Sequence, residues 1–326
     1  MSSSTELATH LQKLIPDSHT QLRDSVLPSL LQSIHAIAGH LRTSPSVTQV
    51  GTANAFGDDQ LNVDVLAEEA IRKTINDCPS IVTASSEEDP IEKSSKTSNS
   101  SEDGEQYTLA FDPLDGSSII APNWSVGTII GIWTGSSALN SPPSTHQIAS
   151  ILGVLGPRTT AIVAIRLPNT PGTCFEVSYS DSGTMHVVRA DVQLAAPGTF
   201  KTRYFAPANM RAAADDERYM SLITRMIQQK YTLRYSGGLV PDVVHALVKG
   251  HGVYISPVTQ QSRAKLRRLY ELAPIALILE CAGGAALDSA TGMPVLGENV
   301  ADTDERGGLI CGTKEDVEAA RLALLG

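Results

Sequence analysis

The sequence predicts a layered α/β protein of two subdomains, on three observations. Helical and strand-like stretches are mixed along the 326 residues without strict βα alternation. Two apolar strands run directly into pairs of acids. Beyond about residue 200 the pattern resets, so residues 1–200 read as an N-terminal subdomain and 201–326 as a C-terminal one. An apolar content of 41% supplies a core for both.

Leu22, Val26, Leu30, Ile34, Ile37 and Leu41 recur at helical spacing, which predicts an amphipathic helix over 17–42 with a kink at Pro28. His35 and His40 lie on it, and isolated helical histidines carry no chemistry by themselves. A second helix is expected over 61–76 and a strand over 80–84. Residues 91–106 have little to bury and read as a surface loop. Strands follow at 108–111, 126–133, 151–155, 160–166, 174–179 and 185–189, with 140–144 as a further loop. The second half reads as a strand near 203–205, a helix over 215–229 and a strand near 231–235. A helix over 241–249 has Pro241 in its first turn and Gly250 after its end. A strand at 253–256, a helix over 274–282 and a C-terminal helix from 314 complete the chain.

The net charge of −10 and pI near 5.3 argue against nucleic acid or an anionic membrane as main partner. No apolar run approaches the ~20 residues of a membrane span. Cys78, Cys174, Cys281 and Cys311 are widely spaced, as expected of reduced thiols in a reducing compartment. The first residues have neither a basic n-region nor an apolar h-region, and the last are not a peroxisomal address. A cytoplasmic protein is expected, an organelle being the alternative.

The chemistry gathers where strands end. Ile81–Ala84 runs into Glu87 and Glu88, and Thr108–Phe111 into Asp112 and Asp115. If the two strands are neighbours, four carboxylates converge at one sheet edge, with Asp58 and Asp64 flanking a nearby helix start. Each acid alone reads as a cap, turn or solvated residue. As a group they repel one another unless a cation lies between them. An all-oxygen site suits Mg²⁺ or Mn²⁺ better than zinc, and there is no Cys/His cluster. Gly116, Ser117 and Ser118 follow at once. Read alone they are an Asp-Gly turn; beside metal-binding acids they read as a phosphate cradle. The segment Lys265 to Glu271 adds Lys265, Arg267 and one more acid. Gly237 and Gly238 precede a helix whose N-terminus could receive a second anion, with Arg234 and Tyr235 beside them.

Phe111-Asp-Pro-Leu-Asp-Gly-Ser-Ser118, with Ser86-Glu-Glu-Asp89 before it and Lys265-Leu-Arg-Arg-Leu-Tyr-Glu271 and Ala282-Gly-Gly284 after it, resembles the signature of the fructose-1,6-bisphosphatase family. The resemblance runs from about residue 50 to the C-terminus. It implies a two-subdomain, α-β-α-β-α sugar phosphatase fold and Mg²⁺-dependent release of a sugar 1-phosphate. Ile119-Ile120 after Ser118, Lys230 to Asp242 and Phe205 to Arg211 are more similar to the branch acting on sedoheptulose 1,7-bisphosphate. Ser256 stands where fructose bisphosphatases use a tyrosine on the distal phosphate. The cysteine pair of chloroplast forms and the AMP-binding pattern are not recognisable, so neither thioredoxin control nor AMP inhibition is expected.

By the same resemblance, Glu87, Asp112, Asp115, Glu271 and the Leu114 carbonyl would bind two or three metal ions, with Asp58 at a further site. Asp64 and Glu88 would orient and deprotonate the attacking water. Gly116, Ser117 and Ser118 would hold the reacting phosphate, and Lys265 and Arg267 the sugar near C1. Asn209, Arg234 and Tyr235 would hold the distal phosphate, Arg234 reaching in from a neighbouring subunit of a homo-oligomer, dimer or tetramer. The implied reaction is in-line attack of a metal-activated water, giving sedoheptulose 7-phosphate and phosphate. A phosphoaspartate route needs acids one residue apart, whereas Pro113 and Leu114 put two between them. The alternatives are a fructose or dual-specificity bisphosphatase and, from another class, a silent binder of sugar phosphate and cation.

Overall fold

The computed structural model describes residues 5–53, 59–95, 104–196 and 198–326. A nine-stranded sheet is built from β1 (Thr5–Glu6), β4 (Ile81–Ser86), β5 (Lys93–Ser94), β6 (Tyr107–Asp115), β7 (Val126–Thr134), β8 (Gln147–Leu155), β9 (Thr159–Ile165), β10 (Thr173–Tyr179) and β11 (Met185–Arg189). Between β1 and β4 lies a two-stranded ribbon of β2 (Gln49–Ala53) and β3 (Asp59–Leu61). The large sheet has the order β1-β11-β10-β9-β8-β7-β6-β4-β5. A second sheet has β12 (Tyr204–Pro207), β13 (Thr232–Leu233), β14 (Val253–Ser256), β16 (Ala285–Leu287) and β18 (Leu309–Gly312) in the order β13-β12-β14-β18-β16. A small ribbon pairs β15 (Leu266–Arg267) with β17 (Arg306–Gly307).

Helices separate and cover these sheets. α1 (Leu7–Leu14), α2 (Leu27–Thr43) and α3 (Asn62–Asp77) share a core with one face of the large sheet. Two single turns flank strands: α4 (Ser117–Ile120) follows β6, and α5 (Pro143–His146) leads into β8. Beyond α6 (Glu217–Gln228), α7 (Leu239–Lys249) and α8 (Ala273–Cys281) lie between the two sheets and bury a second core with both. α6 and α9 (Lys314–Leu325) close the outer face of the small sheet. The layers therefore run helix, sheet, helix, sheet, helix. Sandwiched strands are apolar on both faces: every residue of Val126–Trp133 is buried.

The expected helix over 17–42 forms, with a π turn just before Pro28. Proline has no N–H and its ring crowds the carbonyl four residues back. A π turn over Leu22–Val26, with Leu27 N–H bonded to the Leu22 carbonyl, makes that room. The expected loop at 140–144 includes the start of α5. α1, α4, β16, β18 and the short strands β1, β2, β3, β5, β15 and β17 are additional to the expected elements. β5 falls within the predicted loop over 91–106, half of which, 96–103, lies outside the described residues. The four cysteines are buried and unpaired.

Candidate active site

β4 and β6 are parallel neighbours, with Ala84 opposite Leu109 and Ser86 opposite Phe111. Their C-terminal ends therefore bring both acidic segments to one edge. Glu87 N–H continues the pairing, donating to the Phe111 carbonyl (3.0 Å). Glu68 and Arg72, one turn apart on α3, brace this corner: Arg72 pairs with Glu68 and Asp89, and Ser86 Oγ donates to Glu68.

In a regular strand Asp112 and Asp115 would face opposite sides of the sheet. They do not, because β6 carries a bulge. Asp112 lies opposite Ile129 and Asp115 opposite Gly127, three steps on one strand against two on its partner. Leu114 N–H donates to the Asp112 carboxylate (2.9 Å), and Thr128 Oγ1 donates to the Pro113 carbonyl (3.0 Å). The Leu114 side chain packs into the α2–α3 core. Asp112, Asp115 and Glu271, all buried, each place a carboxylate oxygen within 4.8 Å of the others.

Burial raises all three acids. Asp112 is held well above the usual range by desolvation and by the charges of Glu87, Asp115 and Glu271. Glu271 is likewise raised by desolvation and Glu87. Asp115 rises only to about 6: desolvation lifts it, while the backbone N–H groups of Val240 and Leu239 hold its charged form. Those donors, at 2.7 and 3.3 Å, belong to the first turn of α7. α7 comes this near because Gly127 has no side chain. A Cβ there would lie 2.3 Å from Val240 Cβ.

Arg267, 3% exposed, forms an ion pair with Glu87, and its N–H donates to Glu271. Asp64, in the first turn of α3, accepts from Leu61 N–H (2.9 Å). Desolvation, then the charges of Glu88 and Glu87, push its carboxyl up to about 7. Glu88 accepts from Gln60 Nε2. Asp58 lies outside the described residues. This donor set fits a hard divalent cation: it is all carboxylate, buried, and mutually repulsive as it stands.

Gly116 follows with φ +96°, a conformation open to glycine, and turns the chain into α4. Ser117 and Ser118 are exposed on that turn. The anion-receiving N–H groups expected at Gly237 and Gly238 require a correction. Gly237 N–H is bonded to Asp242 (3.2 Å), Gly238 N–H to Ser236 Oγ (3.3 Å), and the next two N–H groups to Asp115. The helix N-terminus holds the protein's own carboxylates. Asp242 carries only a weak signal in the sequence, an acid just after Val240-Pro241 being a common first-turn helix residue.

The remaining predicted residues divide between two cavities. Asn209 and Lys265 line one of about 650 Å³. Arg234 and Tyr235 line a separate cleft of about 1060 Å³, together with Arg42, Trp124, Asp242 and His245. They are not far from Asn209, whose backbone N–H bonds the Tyr235 phenol.

Acids converging at parallel strand ends, beside a glycine-serine turn in a five-layered fold, define a phosphoric monoester hydrolase. The family models described as the N- and C-terminal domains of fructose-1-6-bisphosphatase match residues 5–179 and 199–324, and the chain belongs to the fructose-1,6-bisphosphatase family, whose members are sugar bisphosphatases dependent on divalent metal. It is 35% identical over 311 residues to the chloroplastic sedoheptulose-1,7-bisphosphatase of Triticum aestivum, covering 95% of this chain and 74% of that one. It is 34% identical over 274 residues to the class 1 fructose-1,6-bisphosphatase of Citrifermentans bemidjiense, covering 83% and 78%. A crystal structure from Toxoplasma gondii, described as a candidate sedoheptulose-1,7 bisphosphatase, superposes with a TM-score of 0.86 at 32% identity over 98% of each chain. No described helix is long and apolar enough to cross a membrane.

Proposed function

We propose that the chain hydrolyses the 1-phosphate of sedoheptulose 1,7-bisphosphate, giving sedoheptulose 7-phosphate and phosphate, with Mg²⁺, or Mn²⁺, as cofactor. The observation that carries the chemistry is the trio Asp112, Asp115 and Glu271, with oxygens within 4.8 Å of one another beside the Gly116 turn. The substrate rests on likeness: the sedoheptulose bisphosphatases of Triticum aestivum and Chlamydomonas reinhardtii are 35% and 36% identical over 95% and 86% of this chain.

In this reading Glu87, Asp112, Asp115, Glu271 and the Leu114 carbonyl hold two or three cations, with Asp58 at a further position. Such ions, when bound, lower the pKa of water and neutralise phosphoryl charge. Asp64, poised near neutrality, takes the proton of the attacking water, and Glu88 orients that water. The water oxygen bonds to phosphorus as the ester P–O bond breaks, and the departing sugar oxygen takes up a proton. Ser117 and Ser118 hold phosphoryl oxygens through hydroxyl and N–H groups. Lys265 and Arg267 face the sugar near C1. Asn209 faces the distal phosphate, with Tyr235 behind it.

Residues 1–200 thus supply most of the metal and phosphate chemistry and 201–326 most of the substrate contacts. Arg234 serves a neighbouring subunit of a dimer or tetramer. Its neighbours Leu233, Tyr235 and Trp124 are exposed at 54%, 42% and 54%, as suits a subunit contact. Four buried, unpaired cysteines fit a reducing cytoplasm.

Fructose 1,6-bisphosphate is the second reading, favoured by the likeness to class 1 fructose bisphosphatases. Steady-state phosphate release with Mg²⁺ separates the two. A higher kcat/KM for the seven-carbon substrate supports the proposal, and an equal or lower one overturns it.

A further inference from the structure

We propose that Arg211 and Arg263 are specificity-determining residues that clamp the terminal phosphate remote from the one cleaved. This deepens the reading above and rests on it for the identity of the substrate. The two arginines line the 650 Å³ cavity with Asn209, Asp215, Lys265 and Arg306. Lys265 lies two residues along extended chain from Arg267, about 7 Å, and Arg267 pairs with Glu87. Arg306 lies directly opposite Arg267 in the β15–β17 ribbon. The cavity therefore begins where the acid cluster ends, and a bisphosphate reacting at the acids would extend into it.

Its charge identifies what it takes. Four cationic side chains face a single acid, Asp215. Arg306 is paired with Asp304. Among the described residues, Arg211, Arg263 and Lys265 have no ion-pair partner. Crowded like charges favour an anion between them, and a guanidinium fork matches two oxygens of a phosphate monoester.

The cavity is also built rather than incidental. Asn209, at φ +52°, turns the chain into the short 3₁₀ turn Met210–Ala214 that carries Arg211. The Asn209 side-chain amide donates to Ser262 Oγ, one residue before Arg263. Ser262 N–H is held by Thr259 Oγ1 (3.0 Å) and Thr259 N–H by the Ser262 carbonyl (2.9 Å). Asn209 thus fixes one arginine-bearing turn against the other. Arg234 is not part of this cavity; it lines the other cleft, beside the Tyr204 ring.

The test compares sedoheptulose 1,7-bisphosphate with fructose 1-phosphate, which has no distal phosphate, in the full-length protein. Arg211→Ala and Arg263→Ala should each raise KM for the bisphosphate about tenfold, with a much smaller change for the monophosphate, and Arg→Lys variants should lie between. Equal losses on both substrates, or none, overturn the inference. Calorimetric binding of sedoheptulose 7-phosphate gives a second readout that needs no turnover. Binding weakened about tenfold by either alanine variant supports the clamp, and unchanged binding overturns it. A parent protein that cleaves neither bisphosphate yet binds the 7-phosphate through these arginines would refute the proposed reaction and leave the clamp standing.

Discussion

Val240 N–H lies 2.7 Å from the Asp115 carboxylate, a residue 125 positions earlier in the chain. One helix N-terminus thereby stabilises the charge of an acid that its own strand buries. Asp115→Asn would keep the outline but turn an amide donor toward these N–H groups and remove a charged ligand. Phosphate release should fall about 10³-fold with the far-UV circular dichroism unchanged. Activity within tenfold of the parent would remove Asp115 from the site.

That contact depends on Gly127. Gly127→Ala should cost about 1–3 kcal/mol in urea unfolding, because the new Cβ meets Val240 Cβ. It should also reduce turnover by moving α7 away from Asp115. Combining it with Val240→Gly should recover part of the loss; strictly additive losses would mean that the two residues do not meet.

Raised carboxylates make the metal-free chain sensitive to pH in an unusual direction. Asp64 and Asp115 titrate near 7 and 6 when folded, against 3.8 ordinarily. Between about pH 4 and 7 the folded chain holds protons that the unfolded chain has released, so stability falls as pH rises. In chelator, the urea midpoint should be higher at pH 5 than at pH 8. A higher midpoint at pH 8 would contradict the burial of these groups.

Activity should respond to the same group with the opposite sign. Asp64 accepts a proton only when ionised, so kcat/KM should climb as pH rises toward 7, and bound cations should move that limb lower. Asp64→Asn should abolish the limb along with most of the rate. A limb that survives the substitution would belong to another acid.

Arg267 balances Glu87 within the chain itself. Arg267→Met leaves that acid without its guanidinium and should destabilise the chelated protein by about 3–5 kcal/mol. Added Mg²⁺ should narrow the gap in urea midpoint. Equal midpoints in chelator would show that the pair contributes nothing.

Much of this site is legible in one dimension because its parts are local. Glu87, Asp112, Asp115 and Gly116 follow two strong apolar runs, and a layered sheet places such runs side by side. α3 and α7 announce themselves by periodicity and a first-turn proline. What could not be read depends on contacts across the chain. Nothing near Gly237 tells that the adjoining N–H groups face Asp115, and nothing near Arg267 names Glu87. β16 and β18 are three and four residues long, too short for alternation to mark them. Arg211 and Arg263 lie in turns, where a lone arginine reads as solvated surface until the cavity shows them together.

The surplus residue in β6 has a consequence for how such chains diverge. Deleting Pro113 or Leu114 would leave both acids on one face of an even pleat but remove the bulge in which Leu114 N–H holds the Asp112 carboxylate. Sheet, cores and every acid would survive on paper while the cation cage lost that hold. The loss of a single codon thus separates a catalyst from an inert look-alike, and an inventory of retained acids would miss it; the spacing between them is the more faithful mark of a working copy.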